Sequence, residues 1–185
     1  MSGLSIIVLL ASLIVAEGSV ETAPSSGLAC SALQRIQLTE ETALIDGVPL
    51  GANLSHLGSV HRRDLDLRLH WGPSMGGPCG RITGSVPGDP HGLAFSNLPG
   101  EDPLKIGGFY FHFERSIDVK ATLAALRTQL PTLRFFSTGA PWTEELDESP
   151  IYVPASRAYF IGISEERLGI GLARCFPGGL QRTSD

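Results

Sequence analysis

Leucine alternates with polar or charged residues most regularly between positions 64 and 71. The leucine side ends in a tryptophan, and the polar side carries acidic and basic groups: Leu65, Leu67, Leu69 and Trp71 against Asp64, Asp66, Arg68 and His70. A period of two places alternate side chains on opposite faces of a β-strand. Residues 64–71 are therefore predicted to form a half-buried strand.

Residues 104–114 carry a second alternation, built on aromatic residues. Phe109, Phe111 and Phe113 are on one side of the pattern and are expected to face the core. Shorter strands are predicted at 81–86, 93–97 and 135–136. A hairpin is predicted from 157–163 and 168–175, with its turn at 164–167.

Three glycines, Gly162, Gly169 and Gly171, leave one side of this hairpin without side chains. We interpret them as places where a neighbouring group approaches the backbone, in preference to a ligand site. Near the start of the chain, the apolar residues around 33–38 and 44–45 fit either a helical turn or a hairpin.

Helical spacing is clearest in the apolar stripe Val119, Leu123, Leu126 and Leu130. Ser116 is in position to cap this helix, and Pro131 ends it. A single stripe suits a helix that lies on one face of a sheet. The predicted fold class is therefore α+β: one β-rich domain with a mainly antiparallel sheet and a helix at about 117–130. A shorter helix is predicted at 53–60, with Asn53 as its cap.

The first 18 residues resemble a signal peptide, and residues 19–31 are predicted to be a flexible lead into a single compact domain at 32–185. The uncharged run at 4–16 has the length of a signal-peptide core and falls short of the about 20 apolar residues that span a membrane. Ala16 and Gly18 permit cleavage before Ser19, and Ile14-Val15-Ala16 offers a weaker alternative before Glu17. No basic residue precedes Arg35, however, so the positive N-terminal region of a signal peptide is missing.

We therefore expect an exported protein, periplasmic or extracellular, with no stable membrane span after processing. Two alternatives are an uncleaved segment that anchors the chain in a membrane and a segment that forms a buried strand or helix of the domain.

Composition changes this picture little. The chain has 185 residues, 42% of them hydrophobic and 18% charged, as in a packed globule. Its net charge of -5 argues against nucleic acid as a partner.

Three cysteines, Cys30, Cys79 and Cys175, lie far apart with no CxxC pair, so neither a structural zinc site nor a thioredoxin-like motif is expected. One disulfide and one free thiol suit an oxidising compartment. We favour Cys79 with Cys175, because Cys79 lies in a tight glycine-proline turn and Cys175 is predicted to end a strand near the C-terminus. Cys30 is an alternative partner for either, and three free thiols are a third possibility.

Ser74 lies in a G-x-S-x-G pattern at 72–76, directly after the predicted strand at 64–71. In hydrolases this pattern exposes a serine nucleophile at a turn from a strand into a helix. Gly77, Pro78 and Gly80 forbid a helix here. An ordinary glycine-proline turn is therefore the favoured interpretation.

His70 and His112 lie on the polar sides of two predicted strands, with Asp66 and Glu114 beside them. Such a group is able to bind zinc or exchange protons if the two strands are neighbours. A solvated outer face is the favoured interpretation. No nucleotide-binding or HExxH motif occurs, and no cofactor is expected.

Trp142 lies in an acidic segment at 140–154, where an exposed aromatic side chain suits a binding anchor. It also suits a lid over the sheet edge. The predicted function is a non-enzymatic binding module for another envelope or extracellular protein. The alternative is a small hydrolase or metal-dependent enzyme that uses Ser74 or the His70 and His112 pair.

Overall fold

Two antiparallel sheets and a few short helices make up the described part of the chain. The structure is a computed structural model and describes residues 31–69, 79, 82–98, 104–136, 150–176 and 180. The smaller sheet contains, in order, β1 (Ile36–Leu38), β2 (Ala43–Ile45) and β3 (Val48–Pro49). The hairpin alternative for this region is therefore correct.

The larger sheet has eight strands. They are β4 (Asp66–Leu69), β5 (Ile82–Ser85), β6 (Ala94–Asn97), β7 (Ile106–His112), β8 (Arg134–Phe136), β9 (Ile151–Val153), β10 (Tyr159–Ile163) and β11 (Arg167–Leu172). Their order is β4-β5-β6-β7-β11-β10-β9-β8, and all neighbours are antiparallel. Strands β4 and β8 therefore form the two edges.

One face of the larger sheet carries the main core. Phe109, Phe111 and Phe113 of the β7 region are buried there, as predicted. They share one hydrophobic cluster with apolar residues of the smaller sheet and of the helices α1 (Leu54–His61) and α2 (Val119–Gln129). The predicted α+β class is confirmed. No helix in the described ranges is long and apolar enough to cross a membrane.

Both predicted helices form, and one of the two predicted caps is wrong. Asn53 caps α1 by accepting a hydrogen bond from the backbone N–H of Ser55. Helix α2 is capped by Asp118 instead of Ser116, because the helix begins only at Val119. The Asp118 carboxylate accepts from the N–H of Ala121 at 3.0 Å.

The predicted close approach is confirmed at all three hairpin glycines, and the nearest described groups are side chains of adjacent strands: a Cβ at Gly162 would lie 3.3 Å from Ile151 of β9. A Cβ at Gly171 would lie 2.6 Å from the ring of Phe160, and one at Gly169 would lie 3.2 Å from the ring of Tyr110. Both rings belong to adjacent strands of the same sheet. The glycines therefore leave room for aromatic side chains on the second face of the sheet.

Cys79 and Cys175 form a disulfide, with Cα atoms 5.0 Å apart, as the sequence favours. Cys175 does not end a strand; it lies in a 3-10 turn, Ala173–Cys175, after β11. The two cysteines pack with Leu98 in a second hydrophobic cluster, against Phe160 and Leu172. The disulfide thus ties the segment between β4 and β5 to the end of β11. Cys30 lies outside the described residues.

Candidate functional site

Of the residues singled out in the sequence, Ser74, His70 and Trp142 lie outside the described residues. His112 is described. It is exposed near the end of β7, opposite Arg167 of β11. Partial burial and the positive charge of Arg167 lower the pKa of His112.

The hypothesis of a metal group requires the predicted strands at 64–71 and 104–114 to be neighbours. Their described parts, β4 and β7, are not neighbours, because β5 and β6 lie between them. Asp66 on β4 and His112 on β7 are thus three strand positions apart, about 14 Å at the usual spacing. Within the described ranges, no group of three or more His, Cys, Asp or Glu side chains is arranged to hold a metal ion.

A groove of about 650 Å³ lies between α1 and the edge strand β4. Its apolar lining comes from Leu54, Leu65, Leu67 and Leu104, and Arg62 and Asp64 are among its polar residues. Leu67 is 52% exposed and Leu104 is 48% exposed. Solvent therefore reaches large apolar side chains beside an open sheet edge.

Local packing explains why this groove stays open. Leu67 lies opposite Gly84 of β5, which has no side chain to cover it. The ring of Phe95 occupies the space over Gly84 instead, since a Cβ there would lie 2.4 Å from that ring. Phe95 belongs to the main core. Leu67 is on the same face of the sheet, because Leu67, Gly84 and Phe95 lie opposite one another on successive strands. It lies outside the packed part of that face and stays exposed.

The half-burial predicted for residues 64–71 holds at Leu65, which packs against the main core, but not at Leu67 of β4. Asp66, Leu67 and Arg68 are all exposed. Asp66 and Arg68 form an ion pair at 3.5 Å on the face opposite Leu67. An edge strand has a neighbour on one side only, so alternation in sequence does not secure burial of its apolar face.

The backbone of β4 pairs with β5 and with no other described strand. An edge strand presents N–H and C=O groups that are free to pair with another extended segment. Proteins commonly protect such edges with short strands and charged side chains. Strand β4 is short and charged on one face, but its other face carries an exposed leucine.

A partly buried charged cluster, which no pattern in the sequence predicts, joins the two sheets. The guanidinium of Arg35 donates hydrogen bonds to both carboxylate oxygens of Asp46 and to both of Asp89, the shortest at 2.7 Å. The Asp89 side chain is only 3% exposed. Arg35 also lies over the ring of Phe111, 5.3 Å from its centre.

Two tight turns position the carboxylates. Asp46 and Gly47 link β2 to β3 with φ angles of 52° and 77°, which suits the Asp-Gly pair of a two-residue hairpin turn. Asp89 accepts hydrogen bonds from the backbone N–H groups of His91 and Leu93. It therefore stabilises its own turn as well as Arg35.

Electrostatics in this cluster favour the charged forms. Burial alone would raise the pKa of Asp89, but hydrogen bonds from Arg35, His91 and Leu93, together with the charge of Arg35, outweigh it and lower that pKa. Burial likewise opposes the charge on Arg35, and its two carboxylate partners outweigh burial and raise the pKa of Arg35. The contact between Arg35 and Asp89 is thus held in its charged form.

His91 and Ser31 form a second polar contact near this bridge, with the Ser31 hydroxyl 3.1 Å from Nε2 of His91. A serine nucleophile needs its histidine oriented by a third group at the other ring nitrogen. Nδ1 of His91 is buried without a hydrogen-bond partner in the described part of the chain. The Asp89 carboxylate accepts hydrogen bonds from backbone N–H groups and from Arg35 instead. The contact between Ser31 and His91 therefore holds residue 31 close to the turn before β6.

No protein-family model matches the sequence, and neither the curated proteins nor the solved structures contain a significantly similar chain.

Proposed function

We propose that this chain is an exported, non-enzymatic binding module that takes up an extended polypeptide segment of a partner protein along β4. The observation that carries the proposal is the edge of β4, which pairs with no described strand other than β5 and lies beside a leucine-lined groove. A strand added at an exposed sheet edge gains main-chain hydrogen bonds, and its alternate side chains enter the adjacent pocket.

The chemistry of this site favours an extended segment over a small molecule. The groove is open and leucine-lined, and it runs beside backbone groups of β4 that pair with no described strand and that an added strand would satisfy along their length. A bound strand would shield Leu67 and Leu104 from water. Burying an exposed leucine contributes about 1.5–3 kcal/mol, so two partly exposed leucines supply a useful share of a binding energy.

The proposed export of the protein rests on two independent features. Cys79 and Cys175 form a disulfide, and disulfides persist in oxidising compartments. The uncharged run at residues 4–16 has the length of a signal-peptide core. The partner is then a protein of the envelope or the extracellular space. The enzyme alternative stays a prediction from the sequence, since Ser74 and His70 lie outside the described residues.

Panning a displayed library of random peptides against the purified protein tests this proposal. We expect enrichment of peptides in which apolar and polar residues alternate, since only every second side chain enters the groove. Binding should fall at least tenfold in Leu67→Asp, which places a charge where an apolar side chain would pack.

Phe135→Asp is the matched control. Phe135 is the exposed aromatic residue of the opposite edge strand, β8, and is 61% exposed. Its replacement should leave peptide binding unchanged. The proposal is overturned if no peptide is enriched, or if the enriched peptides bind Leu67→Asp as well as they bind the unaltered protein.

A further inference from the structure

We infer that the segment this site takes up is β4 of a second copy of the same chain. The inference rests on the proposed function, because it names the partner of the same site. Two antiparallel copies of β4, related by a two-fold axis at Leu67, would join two larger sheets into one continuous sheet. Such a contact is isologous, with the same patch on both copies.

The charges of β4 are self-complementary in this arrangement. With Leu67 opposite Leu67, Asp66 of each copy lies opposite Arg68 of the other. Both charged residues are on the same face of the strand and are well exposed, at 50% and 72%. Opposite charges directly across an antiparallel pair are favourable.

Incorrect pairings are disfavoured by the same charges. A parallel pairing in register would place Asp66 against Asp66 and Arg68 against Arg68, and like charges across strands are destabilising. A slip by one residue would turn Leu67 away from the groove side of the second copy. The two charges therefore select orientation and register more than they add affinity, as expected for exposed ion pairs.

The groove side is apolar in the same arrangement. Leu67 of the two copies would meet at the axis, with the leucines that line each groove close by. In the sequence, Asp64 and His70 continue the charge pattern by one step at each end. Only Asp66, Leu67 and Arg68 carry the inference, because His70 lies outside the described residues.

The other edge lacks this self-complementarity. Two copies of β8 centred on Phe135 would place Arg134 opposite Phe136, with no acidic partner on the strand. Phe135 already contacts Tyr152 edge-on, with ring centres 6.0 Å apart. Self-association is therefore assigned to β4.

Sedimentation of the full chain at low salt, over a range of concentrations, tests this inference. We expect the unaltered protein to dimerise reversibly. Arg68→Asp and Asp66→Arg should each weaken the dimer at least tenfold, because each places like charges opposite one another on both sides of the axis. Both positions are exposed, and circular dichroism and thermal melting should show that both variants are folded.

Two further samples make the test specific. The double variant with Asp66→Arg and Arg68→Asp should regain the dimer, because the complementarity is restored in reverse. An equimolar mixture of the two single variants should form a mixed dimer, since one carries two positive charges on this face and the other two negative charges. A mixture that stays monomeric, or single variants that dimerise like the unaltered protein, overturns the inference.

Failure of this inference is distinguishable from failure of the proposed function. A chain that stays monomeric but binds displayed peptides in a Leu67-dependent manner overturns the second-copy partner and leaves the proposed function in place. A chain that neither dimerises through β4 nor binds such peptides overturns both.

Discussion

Replacing Arg35 with methionine should lower the free energy of unfolding by about 2–4 kcal/mol, less than the about 3–5 kcal/mol for a fully buried ion pair, because Arg35 and Asp46 keep some contact with water. Methionine keeps much of the apolar volume of arginine, so the loss is mainly electrostatic. It leaves Asp89, whose side chain is almost fully buried, and Asp46 without their shared cation. Urea denaturation at pH 7 measures the effect.

The pH dependence separates this cause from lost packing. In the unaltered protein the pKa of Asp89 is lowered, so its ionised form stabilises the fold above the ordinary aspartate range, near about 3.9. This contribution is lost as the pH falls through the folded-state pKa. Without Arg35, its hydrogen bonds and charge no longer lower the pKa of Asp89, so the destabilisation by Arg35→Met should shrink as Asp89 becomes protonated.

Arg134→Met is the matched control, because Arg134 is exposed on β8. Surface substitutions of this kind usually change stability by less than about 0.5 kcal/mol. Equal losses in the two variants, or a loss in Arg35→Met that does not depend on pH, would show that the charged cluster does not hold the sheets together.

Removal of the disulfide by Cys79→Ser with Cys175→Ser should cost about 2–5 kcal/mol. The cysteines are 96 positions apart in sequence, and closing a loop of this size removes much of the entropy of the unfolded chain. Thermal melting of the double variant, compared with the unaltered protein before and after reduction, measures the loss. Reduction should lower the melting temperature of the unaltered protein only.

Cys30→Ser is the control for this prediction and should retain the full stability. Mass spectrometry of unreduced peptides should find Cys79 joined to Cys175; a link that includes Cys30 would contradict the pairing.

The same spectra give the mature N-terminus. We expect it after Ala16 or Gly18, and an intact start at Met1 or Ser2 would contradict export with processing.

The sequence predicts the interior of this fold better than its boundaries. The alternation in β7 and the hairpin of β10 and β11 are strong local signals, because a buried strand needs an apolar face along its whole length. The prediction of Ser116 as the cap of α2 is wrong because Ser116 and Asp118 are both good capping residues and lie two positions apart. Local chemistry alone does not decide between them.

The candidate site depends on long-range contacts that no local pattern reveals. Alternation at 64–71 predicts a strand, but not that β4 is the last strand in the sheet, where Leu67 stays exposed. Arg35, Asp46 and Asp89 come together from separations of 11 and 54 residues. Ser74 and Trp142 lie outside the described residues, so their roles remain predictions.

Amide hydrogen exchange of β4, measured from dilute to concentrated protein and with an enriched peptide added, tests the binding edge most directly. We expect those N–H groups of β4 that point away from β5 to exchange rapidly in dilute protein and to become protected on binding, while the amides of β8 stay unchanged. Exchange in β4 that remains the same at every concentration and with peptide bound would contradict the binding edge.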